Sequence, residues 1–176
     1  MANAEQAVAD RASSGMSEQA GKYLTFNLGR EIYGLQILKV QEIIGMMSVT
    51  HVPRTPGYIR GVINLRGKVI PVIILRSKFG MESAEDTERT CIIVVQVAWN
   101  NQNVTMGLIV DEVSEVVDIG GEQIEPAPSM GAAIDTAYIL GMGKIGDNVV
   151  ILLDVDRVLS SEELAQVHST SDAGGQ

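Results

Sequence analysis

The chain has 176 residues, of which 45% are hydrophobic, 20% charged and 4% aromatic, and its formal net charge is −9. This composition predicts a globular protein, because a disordered chain would hold fewer apolar residues and more charge. The acidic balance argues against nucleic acid as a main partner. The longest apolar run, residues 69–75, is too short to cross a bilayer, and no secretory signal is visible. We therefore expect a cytoplasmic protein.

Charge is distributed unevenly along the chain. Residues 22–80 hold nine basic and two acidic side chains, whereas residues 81–161 hold three basic and fourteen acidic ones. Such a dipolar molecule favours oriented, head-to-tail association. The alternative is that the charge of a solvated surface simply varies along the sequence.

The predicted elements begin after residue 21, because residues 1–21 are rich in Ala, Ser and Gly and predict a mobile tail. Residues 23–28 alternate between apolar and polar side chains, which predicts a strand. Further strands are predicted where Val and Ile are concentrated, at residues 69–75, 91–97, 105–110 and 149–155. Many short strands at close spacing favour an all-β barrel or sandwich.

The C-terminal end has a helix start signal. Ser160 and Glu163 have the spacing of a capping box, so we expect a short helix over residues 160–168. Residues 169–176 are rich in Ser and Gly and predict a second mobile tail.

The two halves of the chain resemble each other. Residues 34–43 align with residues 107–116 at an offset of 73, and the Ile-x-Gly at residue 59 aligns with that at residue 139 at an offset of 80. We interpret this as a duplication that gives two small barrels of about five strands each. The first is expected at about residues 22–86 and the second at about 87–158. A shared apolar seam between them would leave a groove, and grooves between units are common binding places.

Catalytic chemistry finds little support in the sequence. His51 and His168 are the two histidines, and they lie in a loop or strand end and at the edge of the C-terminal tail. No GxSxG, Walker-type glycine loop or CxxC is present. The single cysteine, Cys91, lies in an apolar run and is interpreted as a buried, inert thiol. We therefore predict no enzyme activity, no catalytic residues and no cofactor.

Acidic residues are densest just after the predicted strand that ends near residue 110. They are Asp111, Glu112, Glu115 and Asp118. Oxygen ligands of this kind suit a divalent cation, but the spacing of a calcium loop is missing, so a solvated acidic face is the favoured interpretation and no metal is predicted. Asp154 and Asp156 alternate with apolar neighbours and are interpreted as the outward face of a strand.

A basic hairpin is predicted over residues 59–68. Gly67 suits the turn, where a positive φ is needed. Arg66 would lie beside this turn and could pair with a carboxylate, and Glu42 is the only acid between Glu31 and Glu82. The alternative is that Arg66 is an ordinary solvated turn residue.

Several of these segments together resemble the CheW-type coupling proteins of bacterial chemotaxis. They are LKVQEI at residues 38–43, RGVINLRG at 60–67, VIPVIILR at 69–76, GLIVDEVSEVV at 107–117 and IEPAP at 124–128. The resemblance covers about residues 20–165, so that a CheW-like domain is expected over residues 22–168. It implies two linked five-stranded SH3-like barrels.

The resemblance also implies a function. A protein of this type is an adaptor that joins transmembrane chemoreceptors to a CheA-type histidine kinase, through the receptor's cytoplasmic tip and the kinase's regulatory domain. It is expected in the cytoplasm at receptor arrays on the inner face of the membrane, with rings formed together with the kinase. It would meet the membrane only indirectly, through receptors.

Ten residues follow as the expected binding set for receptor or kinase. Val40, Glu42, Gly61 and Arg66 match coupling positions of the family, and Glu42 and Arg66 match its Glu–Arg pair. An apolar groove for the helical receptor tip is expected to be lined by Val40, Ile43, Ile93, Leu108 and Val110, unless these residues are ordinary strand core. Val62 and Asn64 complete the set from the same hairpin motif.

The sequence departs from the family pattern at two places. The family commonly has Asp where Ile74 stands, and the loop at residues 98–103 is longer than expected, which leaves Trp99 either a contact residue or a packing residue. The alternatives are the same module in a non-flagellar array or a metal-dependent barrel enzyme using the acidic cluster near Asp111. A nucleic-acid-binding barrel is disfavoured because the strands lack aromatic residues for base stacking.

Overall fold

The fold is built almost entirely of β-strands. A computed structural model describes residues 19–127 and 137–174 of the chain, with side chains given as far as residue 169. The strands of these residues are β1 (Gly21–Leu28), β2 (Glu31–Gln36), β3 (Val40–Gly45), β4 (Ile59–Leu65), β5 (Lys68–Ile74), β6 (Cys91–Trp99), β7 (Gln102–Val110), β8 (Glu112–Ile119), β9 (Ile124–Glu125), β10 (Ile139–Ile145) and β11 (Asn148–Leu153). The helices are α1 (Leu75–Lys78), α2 (Val155–Val158) and α3 (Ser161–Gly174). Two 3₁₀ turns lie at Ile37–Lys39 and Gly121–Gln123. None of the described helices is long and apolar enough to span a membrane.

The strands form two sheets of six and five strands, each of the SH3-like barrel type. Barrel I has the order β8-β1-β2-β11-β10-β9, and barrel II has the order β3-β6-β7-β5-β4. The predicted fold class is confirmed, but the predicted division into residues 22–86 and 87–158 is wrong for the sheets. The β1–β2 hairpin pairs with strands of the second half, and the β6–β7 hairpin pairs with strands of the first half.

The pairing register follows the internal repeat. In barrel I, Gly34 on β2 lies opposite Leu152 on β11, and in barrel II Gly107 on β7 lies opposite Val72 on β5. These two parallel pairs are equivalent under the offsets of 73 and 80 residues. The β4–β5 and β10–β11 hairpins also share a register shift at the same repeat position. The structure therefore supports a duplication in which the two repeats have exchanged their first hairpins.

Three apolar clusters hold this arrangement together. One lies inside barrel II and includes Ile63 and Val94, and one lies inside barrel I and includes Tyr23 and Leu152. The largest contains residues of both sheets and of α3, so it is the predicted apolar seam. The seam is a filled core, because its members bury almost their entire side chains. Burial of apolar surface on this scale is the main driving force for folding.

The C-terminal capping box forms as predicted. The Ser160 amide donates to Glu163 Oε1 at 2.8 Å, and the Glu163 amide donates to Ser160 Oγ at 3.1 Å. The helix that follows runs to Gly174, so the prediction that it ends at residue 168 and gives way to a mobile tail is wrong for residues 169–174. The predicted N-terminal tail lies outside the described residues as far as residue 18, and so do residues 175 and 176.

The predicted outward strand face at Asp154 and Asp156 is also wrong. β11 ends at Leu153, and Asp154 caps α2 by accepting a hydrogen bond from the Asp156 amide at 3.1 Å. A residue with a short polar side chain favours such a cap over a strand because it satisfies an amide that the helix leaves open. The chain thus turns away from the sheet one residue after the β11 strand ends.

An ion pair joins α1 to the start of β8. Arg76 donates two hydrogen bonds to the Asp111 carboxylate, at 2.7 and 2.5 Å, and the Gly29 amide donates to the same carboxylate at 2.8 Å. The hydrogen bond from Arg76 is the main cause that holds the pKa of Asp111 below its ordinary value of 3.8. The Asp111 carboxylate therefore forms a structural contact at the junction of the two barrels.

We expect the Arg76–Asp111 pair to make the free energy of unfolding fall as the pH is lowered into the acidic range. A carboxyl group with a lowered folded-state pKa stabilises the fold fully above its unfolded pKa, and that contribution is lost as the pH falls through the folded pKa. Calorimetric melting of the wild type and Asp111→Asn between neutral pH and about pH 3 checks this. The variant should have a lower Tm at neutral pH and a shallower fall of Tm with acid. Equal acid dependence in both proteins would contradict the role of Asp111.

Candidate partner-binding surface

Glu42 and Arg66 form the predicted ion pair. Arg66 Nη1 lies 2.6 Å from Glu42 Oε1, and Arg66 Nη2 lies 2.7 Å from Glu42 Oε2, so the pair is bidentate. β3 and β4 are the two edges of the five-stranded sheet, and the pair spans the gap between them. The Arg66 side chain remains 73% exposed, whereas Glu42 is 21% exposed. The guanidinium is thus held in a fixed position and still open to a partner.

Each member of the pair stabilises the charge of the other. The hydrogen bond from Arg66 lowers the pKa of Glu42, and the hydrogen bond to Glu42 raises the pKa of Arg66. Fixed bidentate geometry of this kind gives specificity as well as attraction. The surface therefore presents a defined pattern of charge at neutral pH.

The hairpin turn directs Arg66 toward Glu42. Arg66 and Gly67 have φ values of 53° and 85°, and two consecutive positive φ angles are typical of the two-residue type I′ turn. The Gly67 amide donates to Asn64 Oδ1 at 2.9 Å, so the Asn64 side chain is used to hold the turn. Asn64 thereby supports the position of Arg66.

Gly61 and Val62 close barrel II beneath this turn. The Thr50 amide donates to the Val62 carbonyl at 2.8 Å, and the Val62 amide donates to the Thr50 carbonyl at 2.9 Å. A Cβ on Gly61 would lie 2.2 Å from the Thr50 carbonyl oxygen. The Val62 side chain is 5% exposed, so neither residue presents a side chain to a partner. Both residues are buried in the barrel and support its closure, and their part in partner binding stays a prediction.

The apolar part of the expected groove divides into exposed and buried residues. Val40 is half-buried against the seam, and Ile43 is 44% exposed on the edge strand β3. The expectation that a groove is lined by Ile93, Leu108 and Val110 is wrong, because all three are fully buried in the seam. They lie on β6 and β7, two inner strands of barrel II, and their side chains pack in the seam between the two barrels.

Leu38 is the apolar surface residue that the sequence analysis missed. It is 96% exposed in the 3₁₀ turn before β3, and with Lys39, Val40, Gln41 and Gln96 it lines a shallow groove. A side chain of this size so fully exposed marks a contact site when other apolar residues lie beside it. We call Leu38, Val40, Glu42, Ile43 and Arg66 the β3 surface.

Other candidate sites carry no chemistry. No group of three or more His, Cys, Asp and Glu residues able to hold a metal ion occurs in residues 19–127 and 137–169. Cys91 is half-buried rather than fully buried, and burial raises the pKa of its thiol, which lowers its reactivity. Trp99 is a packing residue, because its indole Nε1 donates to Ser161 Oγ at 3.2 Å and its ring lies 5.7 Å from that of His168 on α3.

Comparison with known proteins identifies the family. Residues 22–163 match the model of the CheW-like domain. The chain belongs to the CheW family. It is 43% identical over 150 residues to the chemotaxis protein CheW of Klebsiella aerogenes, covering 85% of this chain and 88% of that one. It is 33% identical over 142 residues to CheW of Bacillus subtilis, covering 80% and 88%.

A solved CheW structure agrees with this fold. The crystal structure of the scaffolding protein TtCheW from Thermoanaerobacter tengcongensis matches with a TM-score of 0.72 at 38% identity, covering 82% of this chain and 97% of that one. As a CheW-family member, the chain is a scaffold or adaptor of chemotaxis signalling and not an enzyme. The metal-dependent enzyme considered from the sequence is therefore excluded by family membership.

Proposed function

We propose that this protein couples chemoreceptors to a CheA-type histidine kinase, within receptor arrays on the cytoplasmic face of the cell membrane. The β3 surface is the observation that carries this proposal. It combines exposed Leu38 and Ile43 with an ion pair whose arginine is mostly exposed. The scaffold or adaptor role of the CheW family makes binding the use that we assign to this surface.

The helical tip of a chemoreceptor is the partner that best fits the β3 surface. A helix that packs on a protein surface presents apolar side chains at helical spacing with charged residues beside them. The β3 surface offers groups of both kinds along one edge strand, because Leu38, Val40 and Ile43 are apolar and Arg66 is an exposed cation. The register of β3 on β6 places Val40 and Ile43 on one face of that edge and Glu42, with its partner Arg66, on the other.

The charge distribution supports a second, kinase-facing contact. Residues 40–110, which form barrel II, hold seven basic and five acidic side chains. Residues 111–153, which supply β8–β11 of barrel I, hold one basic and eight acidic side chains. Barrels of opposite charge favour heterologous contacts, which close into rings when the rotation allows it. The related regulatory domain of the kinase is the proposed neighbour in such a ring.

Calorimetric titration tests this function directly. We expect saturable binding when the chain is titrated separately into the kinase regulatory domain and into a purified cytoplasmic receptor fragment from the same cell. Addition of the receptor fragment should change kinase autophosphorylation only when this chain is present. A well-folded chain that binds neither protein would contradict the proposal.

A further inference from the structure

Asp156 connects the C-terminal end of the fold to the start of β3. Its Oδ2 lies 2.8 Å from Lys39 Nζ, and its Oδ1 accepts a hydrogen bond from the Ala98 amide at 2.9 Å. Both charged side chains are about two-thirds buried, with exposures of 32% and 30%. One carboxylate thus holds the 3₁₀ turn before β3 and the end of β6, both of which are remote from it in sequence.

β3 and β6 are the paired strands on which the β3 surface is built. Lys39 ends the 3₁₀ turn directly before Val40, and Ala98 is the penultimate residue of β6. β3 is an edge strand that pairs with β6 alone, and that pairing begins at Val40 opposite Val95. The start of β3 therefore has ladder hydrogen bonds on one side only. Asp156 supplies the contact that fixes it relative to β6.

A similar junction with the charges exchanged lies where the chain passes from β7 of barrel II to β8 of barrel I. There the carboxylate is Asp111, directly before β8, and the cation is Arg76 on α1, the repeat equivalent of Asp156. The Gly29 amide takes the place of the Ala98 amide. The positions equivalent to Glu42 and Arg66 are Glu115 and Gly146, so barrel I has no matching exposed ion pair.

We propose that Asp156 is a positioning residue for partner binding, acting through Lys39. By holding Lys39 against α2 and the end of β6, it fixes the turn that presents Leu38 and Val40 beside the Glu42–Arg66 pair. This inference rests on the proposed function, since it concerns how the β3 surface meets the receptor tip. It assigns a binding role to a residue on α2, outside the surface itself.

A double-mutant cycle with a matched control tests this role. Asp156→Asn keeps an oxygen for the Ala98 amide and removes the charge that holds Lys39. We expect Asp156→Asn and Lys39→Met each to weaken binding to the purified receptor fragment by roughly 3- to 10-fold. The double variant should bind no more weakly than the weaker single variant, because both changes remove one interaction. Asp111→Asn, which breaks the counterpart at the β7–β8 connection, should bind like the wild type.

NMR spectra of the free proteins provide a readout that is independent of the partner. In Asp156→Asn the amide resonances of residues 38–43 should shift, whereas in Asp111→Asn they should not. Wild-type binding by Asp156→Asn, or unshifted resonances of residues 38–43, would overturn the inference. Equal loss of binding in Asp111→Asn would overturn it too, because the effect would then be general destabilisation. If the wild type fails to bind, the proposed function fails, and the spectra still decide whether Asp156 positions β3.

Discussion

Gly61→Ala should lower the free energy of unfolding by about 2–4 kcal/mol and lower the Tm by about 5–15 °C. The added Cβ would lie 2.2 Å from the Thr50 carbonyl oxygen and 2.8 Å from a methyl group of Val49. The nearer atom belongs to the backbone bridge that closes barrel II, so it has no rotamer change available to relieve the contact. Gly61 also has a φ of 149°, which L side chains rarely adopt.

Gly45→Ala is the matched control for this prediction. Gly45 lies on β3 of the same barrel, and a Cβ added there meets no atom within 4 Å. Its stability should stay within about 1 kcal/mol of the wild type. Denaturant unfolding and calorimetry of both variants compare the two. If Gly61→Ala melted like Gly45→Ala and yet lost partner binding, Gly61 would be a direct contact and not a supporting residue.

Features encoded by neighbouring residues were predictable from the sequence. The Ser160–Glu163 capping box and the turn at Gly67 each depend on side chains or φ angles within a few residues. The Glu42–Arg66 pair is a longer-range contact, but Glu42 was the only acid available in that part of the chain. A resemblance to the family's pair also pointed to it.

The exchange of hairpins between the two barrels was not predictable from the repeat. Equivalent strands have the same apolar pattern, so a barrel made of one repeat and a barrel with exchanged hairpins bury similar side chains. The exchanged arrangement depends on contacts between distant parts of the chain, such as the ion pair between Lys39 and Asp156. Those contacts join residues 117 positions apart, beyond the reach of local patterns.

The sequence also did not show which apolar residues of these strands are buried and which are exposed. Ile43 and Ile93 lie opposite each other on adjacent strands, yet Ile43 is 44% exposed and Ile93 is fully buried. The difference comes from β3 being an edge strand, which a sequence pattern does not state. Leu38 was missed for a related reason, because a residue in a 3₁₀ turn does not follow the alternation that identifies strand faces.

Arg66→Ala should weaken binding to the receptor fragment by roughly tenfold or more, because arginines at the centre of an interface are frequent hot spots. The Tm should stay close to that of the wild type, since a pair at an exposed arginine contributes little to folding. Lys68→Ala is the matched control, because Lys68 is another exposed cation on the same hairpin and forms no pair with Glu42. Calorimetric titration and melting of both variants show whether binding depends on Arg66 itself or only on positive charge anywhere on the hairpin.

The exchanged variant Glu42→Arg with Arg66→Glu shows how the pair acts. It keeps an ion pair between β3 and the hairpin but reverses the charge that faces the partner. Arg66 is 73% exposed and Glu42 is 21% exposed, so we expect the arginine itself to contact the receptor and the exchange to leave binding weak. Restored binding would mean that the pair acts only by fixing the shape of the β3 surface. Loss of cooperative unfolding in Arg66→Ala would instead assign the residue to the fold and remove it from the β3 surface.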